Sequence, residues 1–376
     1  MVVFECLDAN ITAIAGSKGL AIVDTHRAPS IMLELKKLFE KEFAGKKILY
    51  VINTHGHWDH CSGNRIFPAS ILVGHENCRE YIQRNPANSL QNICSIKSHL
   101  NELKEQLKSL DGKSQQASEL YSKIAGWEKV FKDLRKGYVI TPPSIVFRDS
   151  LSLDLGGLIL KLIYCGGNAH TDNDIFVCIP EEQILLSGDI FTSASSFGFP
   201  INKMIDIPEL ISSINQVLRQ EKKIKLVIPG HSDFFPGSEL EALRDILNER
   251  FREFEGRESA AQYLEKMIEQ SGLESALQRY KEMNLKQDST YYWMEEEFNI
   301  LGKRLLQKGK IKEAVEVFKI SVAELPNSAL AYLYLGEAYL KQGESGLAIE
   351  NYEKSLSLFP QNEIAQEILK ELRKER

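Results

Sequence analysis

The chain has no apolar run approaching the length of a membrane-spanning helix, so no helical membrane span is expected in these 376 residues. It has no basic excess. Its 46 Lys and Arg stand against 52 Asp and Glu, for a net charge of −6 and a pI near 5.9. Broad, charge-driven binding to nucleic acid is thereby disfavoured, and no nucleic-acid partner is expected. There is no C-x-x-C pair. The six cysteines (6, 61, 78, 94, 165, 178) are scattered, which suits reduced thiols better than a disulfide framework. The opening Met1-Val2-Val3-Phe4-Glu5-Cys6 lacks a basic stretch followed by an apolar core, so no signal peptide is read there. The expected location is the cytoplasm, with the periplasm left open, because a trimmed signal would look the same. The 43% hydrophobic and 26% charged content describes an ordinary globular protein, and the length suggests two or so domains.

What is present is concentrated in one place. Three of only eight histidines lie in Thr54-His55-Gly56-His57-Trp58-Asp59-His60, directly after the apolar run Ile48–Ile52. Such a run reads as a buried strand, so the cluster sits where a strand ends and the backbone curves. Neutral imidazole and carboxylate suit borderline divalent metals, and a His/Asp set leaves room for water as a closed Cys-rich site does not. The stretch reads as a catalytic metal site.

Along the first half, strand-like and helix-like segments alternate. Ile11–Ala15 and Leu20–Val23 read as a strand pair around Gly16-Ser17-Lys18-Gly19, and residues 30–43 have helical spacing. Residues 76–137 are polar, with two apolar seams stepping by threes and fours: Ile96, Leu100, Leu103, Leu107, Leu110, then Ala117, Leu120, Ile124, Trp127, Phe131, Leu134. With Asp111-Gly112-Lys113-Ser114 as the turn, they predict an inserted antiparallel helical hairpin: a lid, a dimer contact or a solvated excursion, the last being the plainest. Strands resume at 144–148, 151–155, 158–164, 175–179, 184–187 and 225–228, with helices at about 207–221 and 238–254. Helices then dominate, with 257–290 a helical connector.

The tail repeats itself every 34 residues. Phe298, Leu301, Gly302, Ala314, Phe318, Ser321 and Pro326 recur as Tyr332, Leu335, Gly336, Ala348, Tyr352, Ser355 and Pro360. This period and pattern resemble the tetratricopeptide repeat, whose small residues mark close helix crossings and whose Pro ends the second helix. The resemblance implies a surface for a protein partner or for self-association.

Other candidate ligands share one context: a strand, then small residues, then the ligand. His170 follows 158–164, Asp189 follows 184–187 within Ser187-Gly188-Asp189, and His231 follows 225–228 within Pro229-Gly230-His231. His26, His75 and His99 read as surface or loop histidines, with His26 a candidate for the cleft, and Cys61 reads as a small packed residue.

The ordered set His55-x-His57-x-Asp59-His60, His170, Asp189 and His231, with Asp24 at an earlier strand end, resembles the metallo-β-lactamase superfamily over about residues 5–255. The resemblance implies an αββα sandwich carrying the hairpin insert, then an all-α tail, divided as 1–255 (insert 76–137), 256–293 and 294–376. It implies two Zn2+ per chain. His55, His57 and His170 would hold one, Asp59, His60 and His231 the other, Asp189 would bridge them, and Asp24 would orient a ligand through a hydrogen bond. A metal-bridging hydroxide would attack the substrate, with Asp59 as the catalytic proton carrier.

Oxygen-reducing di-iron relatives usually have an acidic residue where His57 stands, so His57 favours zinc and hydrolysis. The commonest zinc β-lactamases have Cys in place of Asp189 and often Lys in place of Thr192, and both departures point away from β-lactams. Lys203 is the candidate to replace that Lys. The expected activity is hydrolysis of an ester, thioester, lactone or amide-type small substrate. The alternatives are a phosphodiesterase of the same fold and a repeat-based scaffold in which hydrolysis is secondary. Loops 24–30, 62–70 and 192–206, with Phe191, Phe197 and Phe199, are expected to wall the cleft.

Overall fold

The computed structural model describes every residue except 167–169, 192–206, 221–222, 253–256, 287, 294–296 and 375–376. The chain divides into two compact units: Met1–Pro200 with Pro208–Arg244, and Ile201–Ile207 with Asp245–Arg376.

In the first unit, β1 (Val2–Cys6), β2 (Ala9–Ala15), β3 (Leu20–Val23), β4 (Ile48–Ile52), β5 (Ile71–His75) and β6 (Ile145–Phe147) form one sheet in that order. β1 to β3 are antiparallel and β3 to β6 parallel. The second sheet runs β7 (Ser150–Asp154), β8 (Ile159–Tyr164), β9 (Ile175–Ile179), β10 (Ile184–Gly188), β11 (Leu226–Pro229), β12 (Phe235–Pro236). Here β10 and β11 are parallel and the other neighbours antiparallel.

Side chains alternate across a strand, so each strand of the first sheet feeds two cores. Ala21, Val23, Ile52 and Val73 join Leu160, Leu162, Ile175 and Val177 of the second sheet in the layer between the sheets. Ile11, Ile22, Val51 and Leu72 face the other way, into a helical layer. That layer contains α1 (Pro29–Glu42), and between β5 and β6 lie α3 (Glu76–Arg84), α4 (Leu90–Lys108) and α5 (Gln115–Lys136); a single turn, α2 (Trp58–Cys61), follows β4. α6 (Ile207–Gln220) and α7 (Ser238–Phe251) flank β11 in sequence, and Leu210, Ile214, Val217, Leu240 and Leu243 are buried.

The two seams lie on α4 and α5, but the pair is no solvated excursion. Ile96, Leu100, Ile124, Trp127, Val130 and Leu134 belong to the same buried cluster as Met32, Leu35 and Phe39 of α1. Asp133 accepts from Ser30 N–H at 2.9 Å, pinning the start of α1 to α5. A seam between two helices accounts only for their mutual contact, whereas α5 also has a face against α1. Strand β1, not foreseen, pairs as an edge beside β2; its half-exposed side chains leave little alternation to read.

The second unit begins with α8 (Ala260–Ser271) and α9 (Leu273–Lys286). Then come α10 (Glu297–Gln307), α11 (Ile311–Glu324), α12 (Ala329–Gln342), α13 (Ser345–Leu358) and α14 (Glu363–Lys374), each packed on the next. The 34-residue period has a direct cause. A Cβ on Gly302 would meet the Phe318 ring at 2.5 Å, and one on Gly336 the Tyr352 ring at 3.0 Å, so each repeat crosses its helices over a glycine. Ala314 and Ala348 are fully buried. Glu265 of α8 pairs with Arg304 of α10, and Tyr280 of α9 bonds Glu324 of α11, so the preceding helices pack on the repeats.

Candidate metal centre

Strand direction explains where the candidate side chains meet. β3 and β4 are parallel, and β8, β10 and β11 share one direction within the second sheet. The segments leaving their C-terminal ends carry Asp24, His55 to His60, His170, Asp189 and His231. The backbone of the two sheets is tied at this edge: Ile175 N–H donates to Thr54 O at 2.8 Å, and Asn10 N–H to Gly230 O at 2.8 Å. Asn10 Nδ2 also donates to Pro229 O and Ser232 O, at 3.0 and 2.9 Å.

Two glycines are required by proximity. Gly188 has φ of +53°, and a Cβ there would lie 2.7 Å from Thr54 Oγ1. A Cβ on Gly230 would strike Asp189 Oδ1 and approach His60 Cε1 at 2.8 Å.

The structure brings together all seven predicted ligands. One group is His55, His57, His170 and Asp189; the other is Asp59, His60 and His231; within each group the donor atoms lie within 4.8 Å of one another. Asp189 faces both. Its Oδ1 is 3.3 Å from His60 Nε2, and its Oδ2 is 3.4 Å from His231 Nε2, 3.7 Å from His55 Nε2 and 3.9 Å from His170 Nε2. Asp59 Oδ2 is 3.4 Å from His231 Nε2 and 3.8 Å from His60 Nε2. Zinc–ligand distances of about 2.0–2.1 Å imply tetrahedral edges of about 3.3–3.4 Å, close to several of these separations.

The hydrogen bonds behind the ligands fix their tautomers. His60 Nδ1 is 3.0 Å from Asp24 Oδ2, His170 Nδ1 is 3.1 Å from Asp174 Oδ1, and His231 Nδ1 bonds the carbonyl of Asp8. Each acceptor draws the ring proton to Nδ1 and turns the Nε2 lone pair inward. Thr54 Oγ1 donates to Asp24 Oδ2 at 2.7 Å, so it accepts from His55 Nδ1 at 3.1 Å, with the same result. Among the described residues, His55 Nε2 and Asp189 Oδ1 are buried with no hydrogen-bond partner. A buried lone pair without a donor is costly, and divalent cations held by the two groups would satisfy both atoms.

Electrostatics point the same way. Burial holds His55 well below the ordinary imidazole range and His57 at about 4. Burial is the largest influence on His60 and His231 and opposes their charge, but the neighbouring carboxylates, Asp189 first and then Asp59, together outweigh it, raising His60 well above its ordinary value and His231 to about 10. Their Nε2 atoms are 3.1 Å apart, so a proton on one ring disfavours a proton on the other. Asp174, then Asp189, raise His170 against its burial. Burial alone would raise Asp59 and Asp189, but His60, then His231 among others, holds both carboxylates well below their usual range.

Some expectations change. His26 and His75 are buried, not on the surface: His26 Nδ1 accepts from Ala28 N–H, and His75 stacks on Tyr164 at 3.8 Å. Burial takes His26 to about 3. Phe191 is fully buried against Phe176 and walls no cleft. Ser62, Gly63 and Asn64 are buried too, with Asn64 bonded to Asn53 and Thr25. Cys61 is packed as expected, its Sγ 2.9 Å from His57 O. Thr192, Lys203, Phe197, Phe199 and the loop 192–206 lie outside the described residues.

Sequence reasoning assigned no role to Asp174, Thr54, Tyr81 or Arg27. Asp174 stands four residues after His170 and immediately before β9, a spacing that could have marked it. Tyr81 packs edge-on against His57 at 5.5 Å, and Arg27 lies 3.7 Å from Asp59 Oδ2. Both partnerships are remote in sequence.

Comparison with known proteins places these features. A family model described as metallo-beta-lactamase superfamily matches residues 5–231, and one for the tetratricopeptide repeat matches 329–362. A metallo-beta-lactamase type 2 of Bacillus cereus is 26% identical over 229 residues, covering 61% of this chain and 69% of that protein. One of Bacteroides fragilis is 29% identical over 117 residues, 31% of this chain and 47% of that protein. A solved metallo-beta-lactamase from Pontibacter korlensis aligns at 16% identity and a TM-score of 0.43, covering 64% of this chain and 87% of that one.

Proposed function

Because the chain belongs to the metallo-β-lactamase superfamily and is a metal-dependent hydrolase with a tetratricopeptide repeat, we propose that it is a dinuclear zinc hydrolase acting on a small ester, thioester, lactone or amide-type substrate. The observation that carries this reading is Asp189, whose two oxygens lie between the His55–His57–His170 group and the Asp59–His60–His231 group. His55, His57 and His170 would hold one zinc, Asp59, His60 and His231 the other, with Asp189 shared. When bound, such a pair supplies a nucleophile at neutral pH and a Lewis acid for the substrate's scissile oxygen.

The chain's own residues do the rest. Asp24, Asp174, Thr54 and the Asp8 carbonyl keep the ring protons on the outward nitrogens. Asp59, ionised because neighbouring His60, His231 and Arg27 outweigh its burial, is the group to accept the attacking water's proton and return it to the leaving atom. Tyr81 packs edge-on against His57 and restrains that ring.

We divide the chain functionally as a hydrolase domain over 1–255, a connector over 256–293 and repeats over 294–376 that engage a protein partner or a second copy. No helix among the described residues is long and apolar enough to cross a membrane.

The test is metal content together with turnover. The purified full-length protein is expected to carry close to two zinc ions per chain by elemental analysis and to hydrolyse one member of a thioester, lactone, cephalosporin and bis-p-nitrophenyl phosphate panel. His57→Ala should abolish that turnover while the repeats stay folded. A protein that takes up no metal on reconstitution would sink the reading, and turnover of the phosphate diester alone would move it to a phosphodiesterase.

A further inference from the structure

The inserted helical pair reaches the metal centre through one side chain. Arg27, in the loop between β3 and α1, is 8% exposed, and its guanidinium carbon lies 4.8 Å over the ring of Trp127 on α5. Trp127 is backed by His99 of α4, ring to ring at 4.7 Å. The loop has little freedom. Tyr138 Oη donates to Arg27 O at 2.9 Å, Asp133 holds Ser30 N–H, and Lys129 pairs with Glu34 at 2.8 Å. From this clamp one terminal nitrogen of Arg27 points to Asp59 Oδ2 at 3.7 Å, and Arg27 Nε has no partner among the described residues.

The distance matters. At 3.7 Å the guanidinium is too far to hydrogen-bond the carboxylate and occupy its lone pair. It is close enough, in a buried setting with little screening, to act strongly by its charge. Guanidinium cannot shed its proton at any working pH. A divalent cation on Asp59, His60 and His231 must therefore sit beside a fixed positive charge. Among the described residues, the position formed by His55, His57 and His170 has no Lys or Arg among its ion-pair contacts.

We propose that Arg27, clamped by the inserted helical pair, sets the occupancy of the second metal position: its charge beside Asp59 keeps that position weaker than the three-histidine one. The proposal rests on the two-metal reading above. It places the insert beside the metal centre, because Trp127 packs against that charge. Arg27 is a positioning and tuning residue and touches no reacting atom.

Cobalt(II) titration of the metal-free full-length protein tests this, with visible absorption to count ligand sets and a competing chelator to measure affinity. Wild type should bind two cobalt ions with the second weaker. Arg27→Met should tighten the second at least tenfold and leave the first within twofold. Arg27→Gln, neutral but hydrogen-bonding, should do the same and serves if the Met variant does not fold without metal. Arg27→Lys, which keeps the charge but not the stacking, should stay near wild type. Equal second-site affinity in the neutral variants and wild type would overturn the proposal and leave the two-metal reading standing. So would a gain in Arg27→Lys as large as in Arg27→Met. If wild type binds one cobalt and Arg27→Met binds two, the proposal holds in its strongest form. One ion in every variant would overturn both.

Discussion

Replacing Asp24 by Asn changes one oxygen to nitrogen and is expected to disable both metal positions without unfolding the protein. Asp24 is buried with φ of +59°, a conformation that Asn tolerates and Ala does not. Its Oδ1 accepts from Thr54 N–H at 2.8 Å, and its Oδ2 from Thr54 Oγ1 and His60 Nδ1 at 2.7 and 3.0 Å. The backbone N–H can only donate, so the amide oxygen of the replacement must stay on that side. The new NH2 then faces His60 Nδ1 and Thr54 Oγ1, both of which must become acceptors. His60 moves its proton to Nε2. The Thr54 hydroxyl turns to His55 Nδ1 and drives that ring's proton to Nε2 as well. Each ligating nitrogen now carries a proton. Restoring the binding tautomer breaks a buried hydrogen bond, about 1–3 kcal/mol per ring, so each position should lose roughly 10–100-fold in metal affinity. Zinc titration against a chromophoric chelator reads the affinity, and circular dichroism and thermal melting confirm the fold. Wild-type affinity at both positions in a folded Asp24→Asn protein would refute the tautomer argument. Asp24→Ala, which adds backbone strain and orphans three donors, should instead cost stability, by about 3 kcal/mol or more.

Two further predictions concern protons and space. His231 at about 10 is protonated at pH 7 without metal, so zinc loading at pH 7 should release at least one proton per chain, read by calorimetry in buffers of different ionisation enthalpy. Release of less than one would refute the charge assignment. The sign follows: metal affinity at the His231 position falls by roughly tenfold per unit from pH 8 to 6, because one proton must be displaced. In the metal-free protein the same proton stabilises the fold fully below the ordinary value of 6.5 and is lost as pH rises toward about 10. Gly230→Ala places a methyl against Asp189 and His60, and should cut bound zinc by elemental analysis while costing about 1–3 kcal/mol in denaturant melts. Undiminished zinc in that variant would show that Asp189 has room to move.

The seven candidate ligands were legible in the sequence because the cluster His55–His60, His170, Asp189 and His231 each lie in a segment that follows a strand, and strand order carries those segments to one edge. The repeats were legible because glycine and aromatic alternate at a fixed period. The supporting residues were less so. Thr54 and Asp174 adjoin the motifs in sequence, but their role depends on which ring nitrogen faces them. Arg27 meets Asp59 and Trp127 only after α5 folds back onto α1. Periodicity reports that a face is apolar; it does not report which element covers it, and so the hairpin read as an excursion. His26 and His75 illustrate the converse error, since a histidine with a backbone partner can be buried neutral, and no local pattern announces the partner.

The same geometry makes folding and loading competing uses of one space. Five imidazoles and the carboxylates of Asp24, Asp59, Asp174 and Asp189 converge, and among the described residues Arg27 is a fixed cation placed against them. Without metal, the excess negative charge has to be met by protons, which is why Asp189 drives His60 and His231 upward while their nitrogens stand 3.1 Å apart. Fixed charge on Arg27 partly relieves the carboxylates without needing a proton, so it supports the metal-free fold for the same reason that it opposes the second metal. A neutral side chain at 27 should therefore lower the melting temperature of the metal-free protein and widen the gain on adding metal. Both shifts come from one charge at one distance, and finding either without the other would separate packing by Arg27 from its electrostatics.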